Sequence, residues 1–157
     1  MANFRRPKHS PTPKRQPIKR WETKLTIYTG LLVRMAQQRH VSLWQELVSS
    51  EITGPQFGVI AALHRSPGLS QADLCLELDL DRSTIADLIG RLVDRGIVTR
   101  EDHDVDKRRY SLSLSELGEA EYTQLEPRVS ALDKALTKNL SAQEHDELQR
   151  LLKLVVS

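Results

Sequence analysis

Cysteine is nearly absent. Cys75 is the one thiol in 157 residues, so no internal disulfide framework can form, and that usage fits a reducing, cytoplasmic setting. No apolar run approaches the roughly 20 residues that a membrane-spanning helix needs, so no membrane partner is expected. The N-terminus lacks the apolar core of a secretory signal, and export is not expected. There is no Cys-x-x-Cys pair and no His-Glu-x-x-His, which argues against zinc. Neither phosphate-cradling glycine loop occurs, nor a Gly-x-Ser-x-Gly elbow. Asp102, Asp104 and Asp106 match the first ligands of a calcium loop. Lys107 then stands where glycine is needed and Ser113 where the bidentate glutamate belongs, so a solvated turn is the better reading. No catalytic constellation, metal site or cofactor site emerges, and the chain does not read as an enzyme.

Acid is missing from one region. Residues 1–20 hold Arg5, Arg6, Lys8, Lys14, Arg15, Lys19 and Arg20 and no Asp or Glu. Those are seven of the 23 bases, so the remainder carries 16 bases against 21 acids, a net of −5. With Pro7, Pro11, Pro13 and Pro17 and few apolar groups, this segment reads as a disordered basic arm attracted to polyphosphate. A solvated tail is the plainer alternative. Residues 21–157 are expected to form one domain around one core.

From Trp21 to Ser49 the periodicity is helical. Leu25, Tyr28, Leu32, Ala36, Leu43 and Leu47 fall on one face, and Ile27, Leu31 and Val48 on another. A helix apolar on two sides needs two neighbours, for instance its own core and a second subunit. Thr53-Gly54-Pro55-Gln56 is a capping box with proline in the first turn, opening a helix stopped by Pro67-Gly68. Ser70 caps a third helix. Asp81 caps a fourth, whose apolar side is Ile85, Leu88, Ile89 and Leu92 and which Gly96 ends. Ile97–Arg100 and Tyr110–Leu114 read as strands. A helix follows from Ser115, with a bend expected at Pro127, and Ser141 to Glu144 is a capping box opening the last helix. The fold class is mostly α, with one small hairpin.

Leu69 to Leu114 carries the functional signal. In the fourth helix, Arg82, Ser83, Thr84, Asp87 and Arg91 lie opposite the apolar side. Arginine can grip a guanine edge, and serine and threonine can reach phosphates or bases, so this face suits a major groove. The Asp81 cap is expected to leave backbone N–H groups open to a phosphate. Asp87 can accept from a cytosine amine or hold a neighbouring arginine in position. The hairpin supplies Lys107, Arg108 and Arg109, with Asp106 close enough to fix Arg108, and a held arginine suits a narrow minor groove.

The run Leu74 to Gly118, with Asp81-Arg82-Ser83-Thr84, Arg95-Gly96, Arg100, Asp106-Lys107-Arg108, Leu114-Ser115 and Gly118, resembles the MarR family of bacterial transcription regulators. Gly54-Pro55-Gln56-Phe57 resembles that family's second-helix entry. The resemblance implies a winged helix-turn-helix over about 54–114. It also implies a homodimer built from helices over about 22–49 and 115–157, and a double-stranded, pseudo-palindromic operator as partner. It makes Asp81 to Arg95 the recognition helix, Arg108 the minor-groove arginine and Asp106 its support.

Gln37 to Trp44 further resembles the subgroup regulating aromatic-compound degradation. That implies a repressor released by a benzoate-, hydroxycinnamate- or hydroxynicotinate-like acid or a phenol. Trp44 can stack on a ring, while His40 and Arg39 can meet a carboxylate. His64 and Arg65 are further polar candidates, and Tyr28 and Phe57 can line apolar walls. Each also has a plain reading: Trp44 as core, His40 bonded to a carbonyl, Arg39 in a dimer salt bridge. Cys75 reads as a packed, inert thiol. A regulator without an effector, or an adaptor on the same fold, are the alternatives.

Overall fold

Each helix start in the middle of the chain is fixed by a side chain that closes the first turn. The computed structural model describes residues 28–102 and 110–156. The chain divides into two compact units, residues 1–35 and 36–157. Helix α1, Thr29–Leu47, begins in the first, where Leu32 and Val33 are exposed. The rest of the fold belongs to the second.

Helix α2 (Gly54–Arg65) starts at the expected box. The Gln56 carboxamide oxygen accepts from the Thr53 N–H at 2.9 Å, and Thr53 Oγ1 accepts from the Gln56 N–H at 3.4 Å. Helix α3 (Gln71–Leu78) repeats the device with Ser70 and Asp73. It ends at Asp79 in the left-handed region, φ 51°, and the chain turns within two residues into helix α4 (Arg82–Asp94). Gly96, at φ 71°, closes α4 in a conformation that a side chain would strain.

Strands β1 (Val98–Asp102) and β2 (Tyr110–Leu114) pair antiparallel, with Val98 opposite Leu114 and Asp102 opposite Tyr110. Leu69 bridges to Leu112 on the free edge of β2, so the loop before α3 is bound to the hairpin. Helix α5 (Glu116–Leu136) then leaves the sheet. Its first turn packs so closely that a Cβ at Gly118 would clash with the Ile97 carbonyl oxygen, which only glycine avoids. The helix continues unbroken through Pro127, which lies on its exposed side. Helix α6 (Ala142–Val156) is last.

The core lies between α2, α4, α5 and the hairpin. Ile52, Val59, Ile60, Leu63, Leu74, Ile85, Ile89, Leu92, Ile97 and Leu112 are its fully enclosed members. Leu43, Trp44 and Val48 join from the end of α1. Of the residues placed on one face of the first helix, Leu43 is 3% exposed and Leu47 37%; those that enter the core at this end are Leu43, Trp44 and Val48. Cys75 is half-buried against the same core. Among the described residues no helix is long and apolar enough to cross a membrane. The arrangement of α2, α3, α4 and the hairpin is a winged helix-turn-helix in a mostly helical chain.

Candidate nucleic-acid interface

Helix α4 buries the apolar side expected of it. Ile85, Leu88, Ile89 and Leu92 are all enclosed, which fixes the helix rotationally. Arg82, Ser83, Asp87 and Arg91 are therefore exposed on the opposite side, with Thr84 half-exposed at the edge. This is the outward face that the sequence assigned to DNA.

Its N-terminus is arranged otherwise than expected. Asp81 Oδ1 accepts from the Ser83 and Thr84 N–H groups, both at 2.9 Å. The two hydroxyls also donate to this carboxylate, Ser83 Oγ to Oδ1 and Thr84 Oγ1 to Oδ2 at 2.5 Å. Two of the backbone donors expected to face a phosphate, the Ser83 and Thr84 N–H groups, are thus already engaged by a nearer anion. The Ser83 and Thr84 hydroxyls, then the Thr84 N–H, hold the Asp81 carboxyl well below the usual carboxylate range. The cap is an anion wherever the protein works.

Asp87 has a partner on its own helix. Its carboxylate lies 3.0 Å from the Arg91 guanidinium, one turn on. Holding a neighbouring arginine was one of its two readings, and the geometry favours it. Arg82 has its carbonyl fastened: Gln71 Nε2 donates to it at 2.9 Å and so ties the first turn of α3 to that of α4. Arg82, Arg100 and Tyr110 share the lining of a cavity of about 250 Å³ between α3, α4 and the hairpin. Arg100 and Tyr110 were not among the sequence-derived contacts. Strand alternation does not mark the first, since Arg100 shares a face with buried Val98 and with its register partner Leu112. Asp106, Lys107, Arg108 and Arg109 lie outside the described residues, as does the basic arm of residues 1–20.

Four of the seven residues expected to meet an effector are brought together. The rings of His40 and Trp44 stand 5.9 Å apart, and those of Trp44 and Phe57 5.8 Å. Phe57 lies parallel to Tyr122 at 6.0 Å, and Tyr122 stacks on His64 at 3.8 Å. Tyr122, from α5, is the link that sequence reasoning missed, because nothing in local spacing marks a residue so distant from α1 and α2. Trp44 is 6% exposed and its indole N–H donates to the Ile52 carbonyl at 2.6 Å, so it is core as well as part of the row. The carbonyl partner read for His40 is not found. Its Nδ1 is enclosed with no hydrogen-bond partner among the described residues, and Cε1 lies within contact of where a Cβ on Gly54 would stand. His64 Nδ1 meets Glu119 Oε2 at 2.7 Å. Arg65 pairs with Glu77 at 2.6 Å instead of joining the row. Arg39 is exposed, and Tyr28, also exposed, belongs to the first unit.

Residues 50–109 match the model of the MarR family. The chain is 27% identical over 146 residues to the HTH-type transcriptional repressor NicR of Pseudomonas putida, covering 92% of each protein. It is 31% identical over 102 residues to a putative transcriptional regulatory protein for the hcr operon of Thauera aromatica, spanning 61% of that protein. Among solved structures it is similar to the PcaV regulator of Streptomyces coelicolor in complex with its natural ligand. That match has a TM-score of 0.83 and 34% identity over 85% of this chain and 95% of that one. It is also similar to Bordetella bronchiseptica BpsR, whose DNA binding is regulated by 6-hydroxynicotinic acid, with a TM-score of 0.76 and 26% identity over 82% and 98%. A cysteine-to-serine mutant of Escherichia coli MarR, solved with operator DNA, gives a TM-score of 0.76 and 32% identity over 82% and 93%. The capped, outward-facing helix α4, the two-stranded wing and these likenesses agree: the chain is a DNA-binding transcriptional regulator and belongs to the MarR family.

Proposed function

We propose that the protein is a homodimeric repressor that binds a pseudo-palindromic operator and is released by a small aromatic acid. The observation that carries the DNA reading is α4. Its apolar side is wholly enclosed, and its other side presents Arg82, Ser83, Asp87 and Arg91 to solvent on a scaffold similar to one solved with operator DNA. The helix enters the major groove, and Lys107, Arg108 and Arg109 of the wing, supported by Asp106, enter the adjacent minor groove. The Gln71–Arg82 bond ties the first turn of α3 to that of α4.

The dimer reading rests on α6. Leu148, Leu151, Leu152, Leu154, Val155 and Val156 are all exposed, and the helix buries nothing. A second copy supplies the missing surface, and two-fold pairing sets two recognition helices about one DNA turn, roughly 34 Å, apart.

The effector reading rests on the row from His40 to His64. His40 Nδ1 is an enclosed polar atom with no partner among the described residues, a costly arrangement that a ligand oxygen relieves. Trp44, Phe57 and Tyr122 supply ring faces beside it. Tyr28, Arg39 and His64 complete the candidate set. The likeness to BpsR and to ligand-bound PcaV supports a ligand-responsive regulator, and BpsR's acid is an aromatic heterocycle. Release requires that the ligand bind the DNA-incompetent arrangement more tightly than the competent one.

The test is a gel-shift titration on the DNA upstream of the gene, with hydroxynicotinate-, benzoate- and hydroxycinnamate-type acids added to the preformed complex. Salt-sensitive binding reversed by one of these acids is the expected result. Binding that none reverses would sink the effector reading alone. No binding at all would sink the operator reading. Arg108→Ala is expected to weaken binding about tenfold on all sequences alike.

A further inference from the structure

Three glycines lie inside helices of the second unit, past the first residue of each, and two have an evident packing reason. Gly58 sits against Leu78, whose Cδ2 would be 3.3 Å from an added Cβ. Gly118 faces the Ile97 carbonyl. Gly90, in the middle of α4, has no such neighbour: a Cβ there would meet nothing within 4 Å. Its φ is negative, so the backbone does not require glycine either. Glycine in a helix interior is unfavourable relative to alanine, so the free protein gains nothing from it.

The place of Gly90 on α4 supplies a reason. At about 100° per residue, Ser83, Asp87, Gly90 and Asp94 run along the midline opposite Ile85, Leu88, Ile89 and Leu92. Gly90 is the point on that midline where the backbone is bare. Arg91 stands beside it, and its guanidinium is held 3.0 Å from the Asp87 carboxylate. Both side chains are well exposed, so in the free protein this pair contributes little to stability.

From this we infer that Asp87, Gly90 and Arg91 form one reading unit that specifies a guanine in each operator half-site. The bare backbone at Gly90 lets α4 seat deeply in the major groove. Arg91 then donates to the guanine O6 and N7, and Asp87 holds the guanidinium in the plane of that base. The carboxylate also penalises a displaced register, because it would come to lie against a phosphate. Overall charge cannot produce this selectivity, since the chain beyond residue 20 is net acidic and Asp87 and Asp94 flank the site. The inference rests on α4 being the groove-reading helix.

The test uses the full chain, a fluorescent duplex from its own upstream DNA, and a panel substituting each base pair of one half-site. Gly90→Ala should raise the melting temperature by about 2–4 °C, because a good helix former replaces a poor one. The same variant should lose about tenfold or more in operator affinity and little on random duplex at low salt. Asp87→Asn and Arg91→Ala should both flatten base preference at the same single guanine, by about tenfold. A Gly90→Ala protein that is stabilised and binds the operator unchanged overturns the inference. So does loss of preference at different positions for Asp87→Asn and Arg91→Ala, or equal loss on every sequence. If the wild-type chain binds none of its upstream DNA, the operator reading itself fails, an outcome separate from these.

Discussion

Helices α4 and α6 are both strongly amphipathic, yet they meet opposite fates. Helix α4 encloses Ile85, Leu88, Ile89 and Leu92, and its polar side is left free to work. Helix α6 encloses nothing, although Leu148, Leu151, Leu152 and Val155 mark an apolar stripe along it. It is joined to α5 by the weak His145–Asp133 pair at 3.5 Å. An amphipathic pattern specifies that a face must be covered, and it does not specify by what. For α4 the cover is the chain's own core. For α6 we propose that it is a second copy.

The largest effect should separate the two helices by stability. Leu92→Ala opens a cavity at a fully enclosed site and should cost about 2–5 kcal/mol, lowering the melting temperature by about 4–20 °C at any protein concentration. Leu152→Ala removes a side chain that is 45% exposed within the chain and should cost far less at high dilution. Calorimetry over a hundredfold concentration range makes the comparison. Equal losses for both variants at the lowest concentration would mean that α6 packs on its own chain and not on a second copy.

What was legible in the sequence follows the same division. The Thr53–Gln56 and Ser141–Glu144 boxes, the Asp81 cap, the Gly96 stop and the pairing strand β2 depend on residues a few positions apart, and all are found. The apolar side of α4 was equally readable, because periodicity alone determines it. Tyr122 was not, since its place between Phe57 and His64 depends on how α5 crosses α2. Nor was the use of the Ser83 and Thr84 donors. A capping aspartate two and three residues upstream competes for them with any phosphate, and the sequence does not say which wins. Which apolar arc of α1 meets the core was not legible either, because periodicity marks both arcs and not their neighbours.

A smaller effect should come from charge on the α6 stripe. Leu151→Glu places an anion where we propose that two copies meet, and burying an unpaired charge there is prohibitive. Sedimentation should show the dimer giving way to a monomer that keeps its winged-helix circular dichroism and cooperative melting. Operator affinity should fall with it, because each half-site is then bound separately. The comparison between α4 and α6 breaks if the variant stays dimeric with unchanged affinity.

The smallest effect concerns how the two helices begin. At α4, Asp81 accepts from two hydroxyls and two N–H groups, while at α6 Glu144 accepts only from the Ser141 N–H and hydroxyl, both at 2.8 Å. Both carboxyls are held below their usual range, Glu144 by the Ser141 N–H and then its hydroxyl, and Asp81 further by its larger donor set. A depressed carboxyl stabilises the fold above its unfolded pKa and stops doing so as pH falls through its folded one. Acidification should therefore release the α6 cap before the α4 cap. Carboxyl-carbon NMR titration should place the Glu144 midpoint above that of Asp81, with α6 losing helix signal first. Glu144→Gln should remove the α6 step and leave the Asp81 titration unmoved. Coincident midpoints, or α4 fraying first, would show that the capping donors do not set the acid response.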